Sequence, residues 1–289
     1  MKKNITITKK NITIDKIELK KYLELSTDDL LKYLKLEFNK DRYIYINNNS
    51  KVLGIAHLDV VGGDKKLSSI FYNPLNNKNQ KMDLIYSKSL DDRLGVFILL
   101  NILPKLGIKI DILLTTDEEI FQSSARKFKP IKKYNWLVEF DRAGDDVVLY
   151  DYESTKLINI LKKYFKIGIG SYSDICELYH LGISGFNIGI GYQNAHTFKC
   201  YADLNITKKQ LRRFLTFYNY YKNKKIPLYK NSNFYLYNFD NFELTESIEY
   251  CDLCDNDNGL WREDLTLYLC DNCYNRNYKH IHDIYYGKD

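Results

Sequence analysis

Short runs that are apolar almost throughout alternate with longer segments whose apolar residues recur every three or four positions. This predicts strands buried on both faces between amphipathic helices: an α/β protein with a mixed, mostly parallel sheet flanked by helices. The strands fall at 51–56, 109–116, 136–140, 147–150 and 185–191. Helices fall at 27–38, about 89–106, 154–165 and 207–223; in the first, Ser26 or Thr27 can cap and Leu30, Leu31, Leu34 and Leu36 supply the apolar face. Residues 43–46 and 51–56 flank the turn-forming Asn47-Asn48-Asn49-Ser50 and are expected to pair as a hairpin. Residues 4–14 repeat Asn-Ile-Thr-Ile around Lys9-Lys10 and suggest two short edge strands. Residues 63–84 read as a loop or a small excursion, and 120–128 as a short helical connection.

The apolar runs stop in a telling way. One ends in Asp117-Glu118-Glu119, another in His57-Leu58-Asp59, and a third in Asp141-Arg142; His196 follows the last, and Asp91-Asp92-Arg93-Leu94-Gly95 opens a helix. Each alone has a plain structural reading: a solvated turn, a strand-end histidine, a helix cap. Together they put two imidazoles and several carboxylates on the edge where open α/β sheets bind ligands. Mixed His and carboxylate donors suit a pair of divalent transition ions, zinc first, with cobalt or manganese as alternatives. Two residues along a strand return to the same face, so Asp59 could hold one nitrogen of His57 and leave the other for a metal. The glycine- and hydroxyl-rich stretch 168–175 lacks the lysine and spacing of a phosphate loop, which excludes that mode of nucleotide binding.

The series His-x-Asp, Asp-Asp-Arg-x-Gly, Thr-Thr-Asp-Glu-Glu, Phe-Asp-Arg and a late His resembles that of the co-catalytic di-zinc exopeptidases over about residues 40–225. That superfamily includes leucyl aminopeptidase-like enzymes, tetrahedral aminopeptidases, peptidase T and zinc carboxypeptidases. The resemblance implies a three-layer fold. It also implies that His57 and Asp141 hold one metal, that Glu119 and His196 hold the other, and that Asp91 bridges them. Glu118 would be the general base and Asp59 would orient His57, and the Asp91–Asp92 peptide would be cis. The chain looks like the small phage and bacterial members that carry the core alone, since no segment has room for an inserted lid. Where the family often has glycines after the glutamate pair, this sequence has Ile120-Phe121-Gln122-Ser123, a change at the substrate rim. Arg142 and Asp174 are candidate substrate contacts, for a carboxylate and a free amino group respectively; either could instead be structural.

Beyond the core, Cys251-x-x-Cys254 and Cys270-x-x-Cys273 are two knuckles about fifteen residues apart, the spacing of a structural zinc closed by four thiolates. Leu265, Leu267 and Leu269 alternate into the second knuckle, as in a small ribbon or treble-clef finger. The expected division is a catalytic domain at 1–225, a linker at 226–248 and a zinc-finger module at 249–289. The charge of +6 comes from lysines scattered without a dense basic block, and 249–275 is acidic on balance, which speaks against nucleic acid. No apolar run reaches the roughly 20 residues that span a bilayer, and no signal peptide opens the chain. A cytoplasmic protein is expected, in a host's cytoplasm if phage-encoded.

These observations lead to a metal-dependent exopeptidase, an aminopeptidase or dipeptidase. It would hydrolyse peptide bonds through a hydroxide held by two metals, with one further structural zinc. The alternatives are an amidase or deacylase acting on a non-peptide amide, and a catalytically inactive zinc-finger interaction protein.

Overall fold

The elements in chain order are α1 (Lys16–Glu24), α2 (Thr27–Leu34), β1 (Ile44–Ile46), β2 (Val52–His57), β3 (Ile70–Tyr72), β4 (Leu84–Tyr86), α3 (Leu90–Phe97), a π-helical stretch (Ile98–Ile102) and α4 (Leu103–Lys105). There follow β5 (Asp111–Thr115), β6 (Trp136–Arg142), β7 (Asp146–Val148), α5 (Thr155–Leu161), β8 (Lys166–Ile167), β9 (Gly185–Gly189), β10 (Tyr192–Gln193), β11 (Tyr201–Asp203), α6 (Leu204–Tyr221), β12 (Leu260–Arg262) and β13 (Leu267–Leu269). Short 3-10 segments lie at Glu118–Ile120, Ser124–Lys127, Tyr150–Tyr152 and Asp174–Leu181. The structure is a computed structural model that describes residues 11–228, the backbone of 260–262 and 267–269, and residue 272. It divides into two compact units, one of Met1–Ile70 with Ile85–Lys230 and one of Phe71–Leu84 with Asn231–Asp289.

In the first unit a seven-stranded sheet has the order β1-β5-β2-β6-β9-β7-β8. Its four central strands, β5, β2, β6 and β9, are parallel. The antiparallel partners β1 and β7 flank them, and β8 runs parallel to β7. Every residue of β2, β5 and β9 is buried, as parallel strands covered on both faces require. Residues paired across parallel strands point to the same side. Ile112, Gly54, Val138 and Phe186 are such partners. A Cβ on Gly54 would meet Leu99 and Ile110, so α3 and its π-helical continuation lie close on this face. Helix α6 covers the same face through Phe214 and Phe217, which pack edge-on to Trp136. The opposite face carries Ile55, Glu139 and Asn187 in register, with His57 two residues beyond Ile55. There Gly185 lies against Ile175 of the 3-10 segment Asp174–Leu181. A second sheet sets β10, β11 and β4 side by side.

Several sequence expectations are corrected. Strands 43–46 and 51–56 do not pair as a hairpin, because β5 lies between β1 and β2. The doubly apolar β2 takes parallel partners on both sides and leaves β1 to the outer edge of β5. The turn between them is instead fixed by the buried Asp111 carboxylate, which accepts the N–H groups of Asn48 and Ser50. Residues 11–15 are irregular rather than extended in a ladder, and they lead into α1. That helix was hidden because only Leu19, Tyr22 and Leu23 of its lysine-rich sequence are buried. The first helix of the expected set ends at Leu34, where Lys35 turns left-handed. β6 runs past Asp141 to Arg142, and the loop after Gly168 gives way to the 3-10 segment at Asp174.

In the second unit, Asn76 Oδ1 accepts the N–H groups of Lys78 and Gln80 beneath an antiparallel bridge between Leu75 and Lys81. Strands β12 and β13 pair antiparallel, with Trp261 opposite Tyr268. Residues 4–10, the four knuckle cysteines and the expected linker beyond residue 228 lie outside the described residues. Among the described residues, no helix is long and apolar enough to cross a membrane.

Trp136 ties β6 to α6. It is fully buried, stacks on Phe186 with centroids 5.8 Å apart, and donates its indole N–H to the Tyr221 carbonyl at 3.0 Å. Trp136→Ala is expected to destabilise the fold by about 3–5 kcal/mol in denaturant unfolding, and Trp136→Phe by distinctly less. Equal costs for the two would contradict this packing.

Candidate metal centre

The carboxyl ends of the central strands bring the expected residues together. β2 ends in His57, β5 leads through Thr116 and Asp117 to the 3-10 turn bearing Glu118 and Glu119, and β6 carries Asp141 near its end. Asp91 opens α3, and His196 sits in the turn after β10 with positive φ. The peptide bond between Asp91 and Asp92 is cis.

Asp91 occupies the middle. Its Oδ1 lies 3.2 Å from His57 Nε2, and its Oδ2 lies 3.2 Å from His196 Nε2. His196 Nε2 is also 3.1 Å from Glu119 Oε2. His57 Nε2 is 3.8 Å from Asp141 Oδ1 and 3.7 Å from Glu118 Oε2. The adjacent glutamates therefore serve different sides, Glu119 toward His196 and Glu118 toward His57. Donor atoms of His57, Asp91 and Glu119 all lie within 4.8 Å of one another, as the ligands of a single cation would.

This donor set fits a divalent ion. Glu119 Oε1 is buried without a hydrogen-bond partner among the described residues, a costly state for a carboxylate that a cation would relieve. His57 is fully buried, and its Nδ1 lies 3.1 Å from the Asp59 main-chain oxygen. A carbonyl only accepts, so this contact places a proton on Nδ1; Nε2 is then the atom that would face a cation, and without one it carries a second proton and donates to Asp91. The Asp59 carboxylate, 3.5 Å from the same nitrogen, acts in the same sense and also accepts the Glu119 N–H.

Supporting groups that the sequence left unassigned hold this constellation in place. Asp92 is fully buried and accepts the His57 and Gly95 N–H groups, and a Cβ at position 95 would collide with its carboxylate. Ser173 Oγ lies 2.7 Å from Glu139 Oε2 and 2.9 Å from Asp141 Oδ2. Tyr192 donates to Asp141 Oδ1, and Asn187 Oδ1 accepts the Asp141 N–H. The buried Arg93 donates to the carbonyls of Leu58 and Tyr22 and to Thr27 Oγ1, which joins α1 and α2 to the segment after His57. The signal for Ser173 was the hydroxyl-rich stretch 168–175.

A cavity of about 480 Å³ opens over these groups. Its lining includes Asp91, Glu118, Glu119, Asp141 and His196 together with Arg142, Phe121, Tyr150 and Tyr172. Arg142 is braced by Asp146 at 3.2 Å and by the Ile169 carbonyl at 3.0 Å. Asp174 does not line the cavity. It is fully buried and accepts the Thr115 hydroxyl, a position that does not suit contact with a substrate amino group.

The electrostatics are lopsided, with many more carboxyls than imidazoles. Burial pushes Glu118 up to about 8, with the charges of Asp174, Asp91 and Glu119 adding to it and His57 opposing. Burial likewise raises Asp141 and Glu139 well above the carboxylate range. Burial also opposes ionisation of Asp91, but its bonds to His196 and His57 prevail and hold it low. Bonds to Asp91 and Glu119 lift His196 to about 10.

No family model matches the sequence, and no curated protein matches it. Among solved structures, the chain is similar to aminopeptidase PepT from Bacillus cereus, with a TM-score of 0.50, 9% identity, and 70% of this chain and 96% of that one covered. It is also similar to aminopeptidase APDkam598 from Desulfurococcus kamchatkensis, at TM-score 0.48 and 12% identity, covering 72% and 94%. A tripeptidase from Staphylococcus aureus matches at TM-score 0.47 and 11% identity, covering 69% and 95%. At such identities the PepT match shows an aminopeptidase-like fold and no more. On that fold, His57, Asp91 and Glu119 form a cluster that could hold a metal ion.

The same charges predict a pH response for the metal-free protein. Folding raises His196 from 6.5 to about 10 and Glu118 from 4.5 to about 8. A group raised in this way contributes stability that is complete below its unfolded value and lost as pH climbs through the folded one. Asp91, shifted down, loses its contribution only in acid below 3.8. Chelator-treated protein should therefore show a thermal midpoint that falls steadily from about pH 5 to about pH 10. Added zinc should flatten the slope. A midpoint flat across that window without metal would contradict the assignment.

Proposed function

We propose that the chain is a metal-dependent exopeptidase that cleaves short peptides with a pair of divalent ions, zinc in the first instance. The observation that carries this reading is Asp91, whose two carboxylate oxygens each face a different imidazole. His57 and Asp141 would hold one ion, His196 and Glu119 the other, and Asp91 both. Bound there, the ions would polarise the scissile carbonyl and acidify the attacking water.

The protein's own groups do the rest. Asp59 fixes the ring of His57 through Nδ1. Ser173, Tyr192 and Asn187 hold Asp141. Glu118 lies in the same cavity and belongs to neither ligand set, so its carboxylate is the group left to take the water's proton and return it to the leaving amine. Arg142, braced against Asp146, presents a guanidinium to the cavity, and a carboxylate of a short peptide is its natural partner. An N-acyl amino acid would meet the same groups. Paired trials of aminoacyl anilides and N-acyl amino acids separate a peptidase from an amidase.

The catalytic domain is assigned to 1–225, a linker to 226–248 and a zinc-finger module to 249–289. The finger is assigned one structural zinc on Cys251, Cys254, Cys270 and Cys273, on the strength of their spacing. The free thiols of Cys176 and Cys200 are consistent with a cytoplasmic location.

Metal analysis of the full chain is expected to find two ions that depend on His57 and His196, and a third lost in Cys251→Ser. Glu118→Gln should keep the metal content while kcat falls by roughly 10²–10⁴-fold. Full turnover in Glu118→Gln, or a single ion at the core, would sink the proposal.

A further inference from the structure

The mouth of the cavity has a feature that hydrolysis alone does not require. Phe121 is 70% exposed, directly after the turn that bears Glu118 and Glu119, and its φ of 57° is a left-handed value unusual for an aromatic residue. Its ring lies against Tyr172, with centroids 5.2 Å apart, and both rings line the cavity with the candidate ligands. The pair is braced from behind. The Phe121 carbonyl accepts from Arg126 Nη2 at 3.0 Å, Arg126 pairs with Glu177 at 3.0 Å, and Glu177 accepts the Tyr172 hydroxyl at 3.0 Å. One charged pair thus ties the turn bearing Glu118 and Glu119 to the loop bearing Tyr172, and it braces two rings at the edge of the site. Rings held in this way can gain contact area with a ligand at little cost in conformational entropy.

We propose that Phe121 and Tyr172 form the specificity subsite, and that it takes an apolar side chain, aromatic or branched aliphatic, of the residue being released. This rests on the exopeptidase reading and narrows its substrate class. Pairing at the wall argues for the apolar choice. Arg126 behind it is already paired with Glu177, so the wall offers a charged side chain of either sign no unpaired partner, while an apolar one meets two ring faces.

The test has two arms on the zinc-loaded full chain. In the first, kcat/KM is measured for leucyl, phenylalanyl, alanyl, lysyl and glutamyl anilides. The wild type should favour leucyl or phenylalanyl over alanyl by about 10- to 200-fold, and Phe121→Ala should collapse that ratio, chiefly through KM. Ile131→Ala, which removes an exposed apolar residue that does not line the cavity, should leave the ratio as it was. In the second arm, calorimetry follows binding of the free amino acids. L-leucine and L-phenylalanine should outbind L-alanine, L-lysine and L-glutamate in the wild type but not in Phe121→Ala. This arm needs no turnover, so a protein that binds apolar amino acids selectively yet cleaves nothing refutes the peptidase reading and upholds the subsite. A preference for lysyl or glutamyl ligands, or an apolar preference that survives in Phe121→Ala, overturns the subsite.

Discussion

An ionised carboxylate buried beside other carboxylates is tolerable only if positive charge stands close on each side of it, and Asp91 is held in that position. Without the two imidazoles, its charge would stand among the carboxyl groups of Asp141, Glu118 and Glu119, two of which burial already drives toward the neutral form. With them, each of its oxygens has a partner at 3.2 Å. The rest of the site follows from this arrangement. Two imidazoles define two sides, with Glu119 beside His196 and both Asp141 and Glu118 beside His57. The surplus of acid is also why divalent cations suit the place: they would supply charge that two histidines cannot.

The scaffold keeps these groups from drifting. His57 and Asp141 sit on neighbouring parallel strands whose residues are almost all buried, so neither can move without disturbing the sheet. Asp92 accepts the backbone N–H of His57, and the absence of a side chain at Gly95 makes room for it. Arg93, from the same Asp-Asp-Arg run, reaches the carbonyl of Leu58 on one side and α1 and α2 on the other. Three consecutive residues thus do three jobs: Asp91 faces the imidazoles, Asp92 steadies a strand end, and Arg93 locks the amino-terminal helices to it.

Much of this was legible in the sequence because it is written locally. Parallel strands buried on both faces announce themselves as apolar runs, and the chemistry sits where those runs stop. What escaped was set by tertiary choices. The Asn47–Ser50 turn looks like a hairpin turn, yet the strand that slots between its arms is more than fifty residues away in sequence. Helix α1 carries too few apolar residues to be heard above its lysines. Asp174, in a glycine- and serine-rich loop, reads as a substrate contact or a structural residue, but the 3-10 segment it begins packs on the sheet and its carboxylate is buried. Ser173, next to it, belongs to the hydroxyl-rich stretch 168–175, but only the fold brings it to Asp141.

The most direct test of the account is anomalous diffraction at the zinc edge from crystals of the full chain grown with zinc. Two peaks are expected at the core on either side of Asp91, one beside His57 and Asp141 and the other beside His196 and Glu119. A single peak there, or a pair that leaves Asp91 out, would contradict it.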